Sequence, residues 1–183
     1  SDTDKMQRCA DGICRQVERI NAVVDRVRTY AKEEQKRDER IDFSALVTRV
    51  IDKLRERMAI PPAANLVSDL AVKGDSLELE LAVANLLKNA REAAGDTGRV
   101  SVDLNREGGS AVLTIENSGR VLTEEDFKRL THPLASGKKN GLGLGLPIVR
   151  SITEAHRGNL TLIPRPLGGV IAVLKLPLWE TTK

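Results

Sequence analysis

The sequence predicts an α+β fold, a two-layer sandwich with helices on one face of a sheet, preceded by a long amphipathic helix. Three observations carry this expectation. An apolar seam of heptad spacing fills the amino-terminal stretch, helical patterns dominate the first half, and turn-bounded strand patterns dominate the second. A chain of 183 residues is long enough to bury one sizeable core beside such a helix.

The seam is Met6, Ala10, Ile13, Val17, Ile20, Val24, Val27 and Ala31, spaced alternately four and three residues apart, with charged and polar residues between. Unbroken spacing of this kind implies a coiled coil or helical bundle, because a lone helix would leave the seam wet. The charged run from Lys32 to Arg40 then reads as a helix end and linker. Residues 1–40 therefore form one expected unit and residues 41–183 a second.

In the second unit, Ile41 to Phe43 reads as a short strand, followed by a helix capped near Ser44. The stripe of that helix is Leu46, Val47, Val50, Ile51 and Leu54, and Pro61-Pro62 stops it. A strand is expected around Asn65 to Val72. Asp75 and Glu78 have the spacing of a capping box, opening a helix that is apolar on nearly every side from Leu77 to Ala94. Strands over Arg99–Asn105 and Ala111–Asn117 flank a Gly108-Gly109-Ser110 hairpin turn. One short helix is expected between residues 119 and 141. Pro147 suits the first turn of a helix ending at Gly158, and strands at Asn159–Pro164 and Gly169–Leu176 follow.

Composition narrows the function. Aromatic residues are 2% (Tyr30, Phe43, Phe127, Trp179) and the net charge of +3 is dispersed, so base stacking and a basic nucleic-acid face are both disfavoured. No apolar run approaches the roughly 18 residues of a membrane span. Cys9 and Cys14 are the only cysteines, which suits a reduced chain better than a disulfide scaffold. The expectation is a cytoplasmic segment without membrane or nucleic-acid contact, whose parent protein could still be membrane-anchored.

Three motifs carry the chemistry. Asn85 and Asn89 lie four apart on one face of the buried helix, and buried amides need polar partners. Gly141-Leu142-Gly143-Leu144-Gly145 runs into the helix at Pro147, a place where free N–H groups favour an anion, with Lys138 and Lys139 just before it. Asn117 and Gly119 end a strand, where an amide could read a base edge beside a residue small enough to admit the ring.

Asn-x-x-x-Asn-Ala, then strand-end Asn-x-Gly, then Gly-Leu-Gly-Leu-Gly-Leu resemble, in order and separation, the N, G1 and G2 boxes of sensor histidine kinases. Their wider family includes the ATPase domains of gyrase, mismatch-repair proteins and heat-shock chaperones. The likeness spans roughly residues 41 to 177, and the Asn89-Ala90-Arg91-Glu92-Ala93 stretch is similar to the nitrogen-regulatory type. It implies a Bergerat-type ATP-binding fold with a mixed sheet, and reads the amino-terminal helix as the second helix of a dimerisation and phosphotransfer domain. It further implies ATP or ADP with Mg²⁺ as ligands, a homodimer, and a response regulator receiver domain as partner.

Carried over, Asn89 would coordinate Mg²⁺ and Asn85 support it. Gly141, Leu142, Gly143, Leu144 and Gly145 would meet the phosphates, Lys138 would neutralise charge, and Asn117 with Gly119 would hold adenine. Asn117 stands where the family has an Asp. Restoring Asp there would regain a charge-assisted bond worth about 1 kcal/mol. Arg120 and Val121 replace a Pro and a Gly of the family, and Thr131 to Leu134 replace its lid aromatics. Asn85 stands where the hydrolytic relatives carry a Glu that activates water. The histidines are His132 and His156, neither at a phosphoacceptor position, so this segment is not expected to autophosphorylate alone. The alternative reading is a non-catalytic, nucleotide-sensing dimerisation module.

Overall fold

The computed structural model describes residues 38–55, 60–131 and 145–180. The expected seam helix from Met6 to Ala31, both cysteines, His132, Lys138 and the glycine loop from Gly141 to Leu144 lie outside these residues. The elements are β1 (Glu39–Asp42), α1 (Phe43–Arg55), β2 (Ala63–Leu66), β3 (Ala71–Gly74), α2 (Ser76–Ala94), β4 (Val100–Glu107), β5 (Ser110–Asn117), α3 (Glu124–Thr131), α4 (Gly145–Ala155), β6 (Asn159–Pro164) and β7 (Val170–Pro177).

The main sheet is five-stranded and mixed, in the order β2-β4-β5-β7-β6. β2 runs parallel to β4, and the other pairs are antiparallel. Register puts one residue set on one face: Val102 opposes Ile115, Leu104 opposes Leu113, and Leu113 in turn opposes Leu174. These side chains are buried with Val47 and Ile51 of α1, Val83 and Leu86 of α2, and Val149 and Ile152 of α4. Helices therefore cover that face, as expected of a two-layer sandwich. Asn117 continues the buried row of Leu113 and Ile115, so a polar amide ends an otherwise apolar stripe.

Three local expectations change. The first helix is capped by Asp42, whose Oδ1 accepts from Ala45 N at 2.9 Å. Ser44 Oγ instead donates to Val67 O and accepts from Leu70 N, pinning the β2–β3 loop. The single strand expected across Asn65 to Val72 is two strands in different sheets, because Asp69 turns the chain with φ +63° and β3 pairs with β1. The α4 terminus has its left-handed residue at Arg157 (φ +56°), where Gly158 N bonds Thr153 O and Arg157 N bonds Glu154 O. Gly158 is needed one residue later for another reason: a Cβ there would overlap the Lys175 carbonyl of β7.

Asp75 caps α2 as its spacing predicts, with Oδ1 accepting from Leu77 N at 2.8 Å and Glu78 N at 3.1 Å. The cap's own N–H has an unexpected partner, for Asp75 N donates to His156 Nε2 at 3.0 Å. His156 Nδ1 lies 2.7 Å from Ile152 O, so the ring is neutral with its proton on Nδ1.

Candidate functional site

Three elements converge at one end of the helix layer. The carboxy-terminal half of α2 supplies Asn85 and Asn89, both half-buried. The first residue of α4, Gly145, faces them: a Cβ built on it would lie 3.3 Å from Asn85 Oδ1 and 3.3 Å from Asn89 Nδ2. The end of β5 brings Asn117, 4% exposed, and Gly119, whose added Cβ would stand 3.0 Å from Ala93 O on the last turn of α2. Asn85, Asn89, Asn117, Gly119 and Gly145 therefore all border α2. Lys138, Gly141, Leu142, Gly143 and Leu144 lie outside the described residues.

The amides are differently employed. Asn85 Nδ2 donates back to Leu81 O at 2.9 Å, which turns its Oδ1 toward Gly145. Asn89 makes no hydrogen bond among the described residues, so its amide is available to a ligand. Asn117 Nδ2 donates to Ser118 O at 2.7 Å, which fixes the side chain and leaves Oδ1 as the acceptor. The site is thus built around a neutral amide. An Asp at this position would lose that donor and set a carboxylate oxygen against a carbonyl.

A consequence is measurable. Asn117→Asp is expected to destabilise the nucleotide-free protein by about 1–3 kcal/mol, the usual cost of an unsatisfied buried polar contact. It is not expected to tighten adenine nucleotides, contrary to what residue type alone suggests. Urea denaturation and calorimetry on the pair of proteins give the two numbers, and a tighter complex at unchanged stability would contradict this account.

The turn between β6 and β7 was not anticipated as part of the site. Arg165 Nη1 lies 3.3 Å from Asn117 O and from Gly168 O, and Nη2 is 2.8 Å from Glu116 Oε1. Gly168 and Gly169 adopt φ +96° and +94°, and Gly169 N donates to Arg120 O at 3.0 Å. This turn backs the end of β5. The sequence signal was present in Pro166-Leu167-Gly168-Gly169 between two strands, a composition that demands positive φ.

Arg120, which breaks the family pattern, also acquires a role. Its Nη1 sits 2.8 Å from Asp126 Oδ2, while Thr123 Oγ1 accepts from Asp126 N and caps α3. The hydrogen bond from Arg120, with a further bond from Thr123 N, lowers the Asp126 carboxyl from the ordinary 3.8 to about 2. A depressed folded-state value means that the clip's contribution is present above about 3.8 and fades as pH falls through about 2. Because the pair is exposed, salt should weaken it. A carboxyl-carbon NMR titration should place the Asp126 midpoint near 2, and Arg120→Ala should return it toward 3.8. An unmoved midpoint would remove Arg120 as the cause.

Among the described residues no group of three or more His, Cys, Asp or Glu side chains could hold a metal. None of the described helices is long and apolar enough to cross a membrane.

Comparison with known proteins agrees with this fold. The family described as "Histidine kinase-, DNA gyrase B-, and HSP90-like ATPase" matches residues 74–180. Sporulation kinase B of Bacillus subtilis is 28% identical over 166 residues, covering 88% of this chain and 39% of that protein. Nitrogen regulation protein NtrY of Azorhizobium caulinodans is 30% identical over 181 residues, covering 91% of this chain and 23% of that protein. Among solved structures, the mycobacterial sensor histidine kinase MprB superposes with a TM-score of 0.66 at 26% identity, covering 79% of this chain and 99% of that one. The chain thus spans well under half the length of the two curated relatives.

Proposed function

The chain belongs to the histidine kinase-, DNA gyrase B- and HSP90-like ATPase family, and from that premise we propose that it is the ATP-binding catalytic core of a two-component sensor histidine kinase. The supporting observation is the convergence of Asn89, Gly145 and Asn117 around α2, at positions separated by 56 residues of sequence between Asn89 and Gly145. The two curated relatives compared above include a sporulation kinase and a nitrogen regulation protein, which favours phosphotransfer over a non-catalytic sensing module.

In this reading Asn117 Oδ1 accepts from the exocyclic amino group of adenine. Guanine offers a carbonyl there, so ATP should be preferred to GTP. Gly119 keeps the ring's approach clear. Gly145 opens α4, whose first turn has free N–H groups for a phosphate, and Gly141, Leu142, Gly143, Leu144 and Lys138 would add contacts from the preceding loop. The residues present fit Mg²⁺: one unengaged amide oxygen, on Asn89, suits an ion that takes few protein ligands and fills its shell with phosphate and water. Bound there, Mg²⁺ would neutralise phosphate charge. Asn85, with Nδ2 committed to Leu81 O, is no general base, so water is poorly activated and the γ-phosphoryl group is preserved for a histidine acceptor.

His156 is not that acceptor, since both ring nitrogens are engaged in the core. The acceptor would be a histidine of a dimerisation domain, supplied from outside this segment. Pairing of two chains through Met6 to Ala31, and transfer onward to a response regulator, complete the proposal. Calorimetry of the whole chain with ATP, with Mg²⁺ and then with chelator, tests it. Magnesium-dependent binding of ATP in preference to GTP is expected, and no binding of either nucleotide would overturn the reading.

A further inference from the structure

We infer that His156 is a positioning residue, a pin that fixes the axial register of α4 against α2 and thereby sets Gly145 against Asn85 and Asn89. The two helices run antiparallel and touch at both ends. At one end Asp75 N, at the start of α2, bonds His156 Nε2 just past the end of α4. At the other, Gly145 faces the two asparagines.

The lengths agree. From Gly145 to His156 is eleven residues, about 16 Å of helix at about 1.5 Å per residue. From Asp75 to Asn85 is ten residues, about 15 Å, and to Asn89 fourteen, about 21 Å. A helix anchored at His156 thus delivers Gly145 to the level of Asn85, with Asn89 within reach. A slip of one residue would shift Gly145 by about 1.5 Å and turn it by about 100°.

The pin is tightly specified. The side chain of His156 is fully buried, and Nδ1 is held by Ile152 O on its own helix, so the ring cannot rotate without losing that bond. On α2 the charged groups facing it are Glu78, with Oε2 3.9 Å from Nδ1, and the capping Asp75. Gly74 is bare on this side, and a Cβ there would overlap the ring. Only an acceptor at Nε2 can receive the Asp75 N–H, and α2 carries both site asparagines in one rigid element.

This inference rests on the nucleotide site proposed above, and the test separates the two. In the nucleotide-free whole chain, the Gly145 backbone amide and the Asn89 side-chain amide are followed by ¹⁵N–¹H NMR. His156→Phe keeps a ring but removes the acceptor, whereas His156→Gln can restore one. Val112→Ala on β5, a buried residue on the sheet face opposite the helices, serves as a destabilised control away from the helix pair. The expected result is displaced Gly145 and Asn89 resonances in His156→Phe, largely restored in His156→Gln and unmoved in Val112→Ala. ATP affinity should fall about tenfold in His156→Phe alone. If His156→Phe does not fold, His156→Gln carries the test, and its resonances must stay at their native positions. Native resonances and affinity in a folded His156→Phe would overturn the pin. Displaced resonances in a chain that binds no ATP would leave the pin standing and remove the nucleotide reading.

Discussion

Asn89→Ala is expected to remove magnesium-dependent ATP binding while leaving the domain as stable as before. The two halves of that expectation have separate grounds. Asn89 is half-buried and makes no hydrogen bond among the described residues, so truncation orphans no partner. Alanine is also the better helix former, by up to about 0.7 kcal/mol in a helix interior, so α2 should lose nothing. Binding is another matter. Outer-shell partners of a metal are worth about 10–100-fold in affinity, and a direct oxygen ligand should exceed that. Calorimetry should show the Mg²⁺ dependence vanish in the variant, with residual adenine contacts through Asn117. Thermal melts without nucleotide should coincide for the two proteins. Unchanged affinity with Mg²⁺ would mean that the ion is held elsewhere, and a large drop in melting temperature would mean that Asn89 is structural.

How much of this was legible in the sequence differs by kind of residue. The buried α2 was, because Leu79, Ala82, Val83, Leu86, Leu87 and Ala90 leave it apolar on several sides and Asp75 marks its start. The β4–β5 hairpin was, because Gly108-Gly109 lies between alternating patterns and is the turn observed. The two amides of α2 stood out as polar residues on an apolar helix. Long-range partners were invisible. Nothing in local pattern says that Asp75 N, in place of an intrahelical mate, will meet a ring 81 residues away. Ser44 reads as a helix cap by type, yet its hydroxyl serves a loop 23 residues on. Asn117 shows the limit most clearly. Its type predicts an acceptor that charge would improve, but the carbonyl of the next residue already claims its donor, and only coordinates reveal that. The convergence of Asn89 and Gly145 likewise follows from helix packing, which periodicity does not encode.

The β6–β7 turn yields the second large effect, because two glycines there do work that no other residue can. Gly169→Ala is expected to destabilise the domain by roughly 2–6 kcal/mol. A backbone at φ +94° strains any residue bearing a Cβ, at about 1–3 kcal/mol. The new methyl would also overlap the carbonyl oxygen of Asn117, and overpacking adds about 1–3 kcal/mol. Set against the roughly 5–15 kcal/mol that holds a typical domain folded, the loss is severe. It should reach the site as well. Relief of the overlap must move either the turn or the end of β5, and the latter carries Asn117 and, two residues on, Gly119. Gly109→Ala is the matched control, since that turn glycine has no atom within 4 Å of its added Cβ and no positive φ. Urea denaturation should separate the two variants, with Gly109→Ala within about 1 kcal/mol of the parent. ATP should bind Gly109→Ala normally and bind any folded Gly169→Ala more weakly. Equal midpoints for the two variants would show that the turn yields freely, and that Asn117 is held by its own bond to Ser118 rather than by the loop behind it.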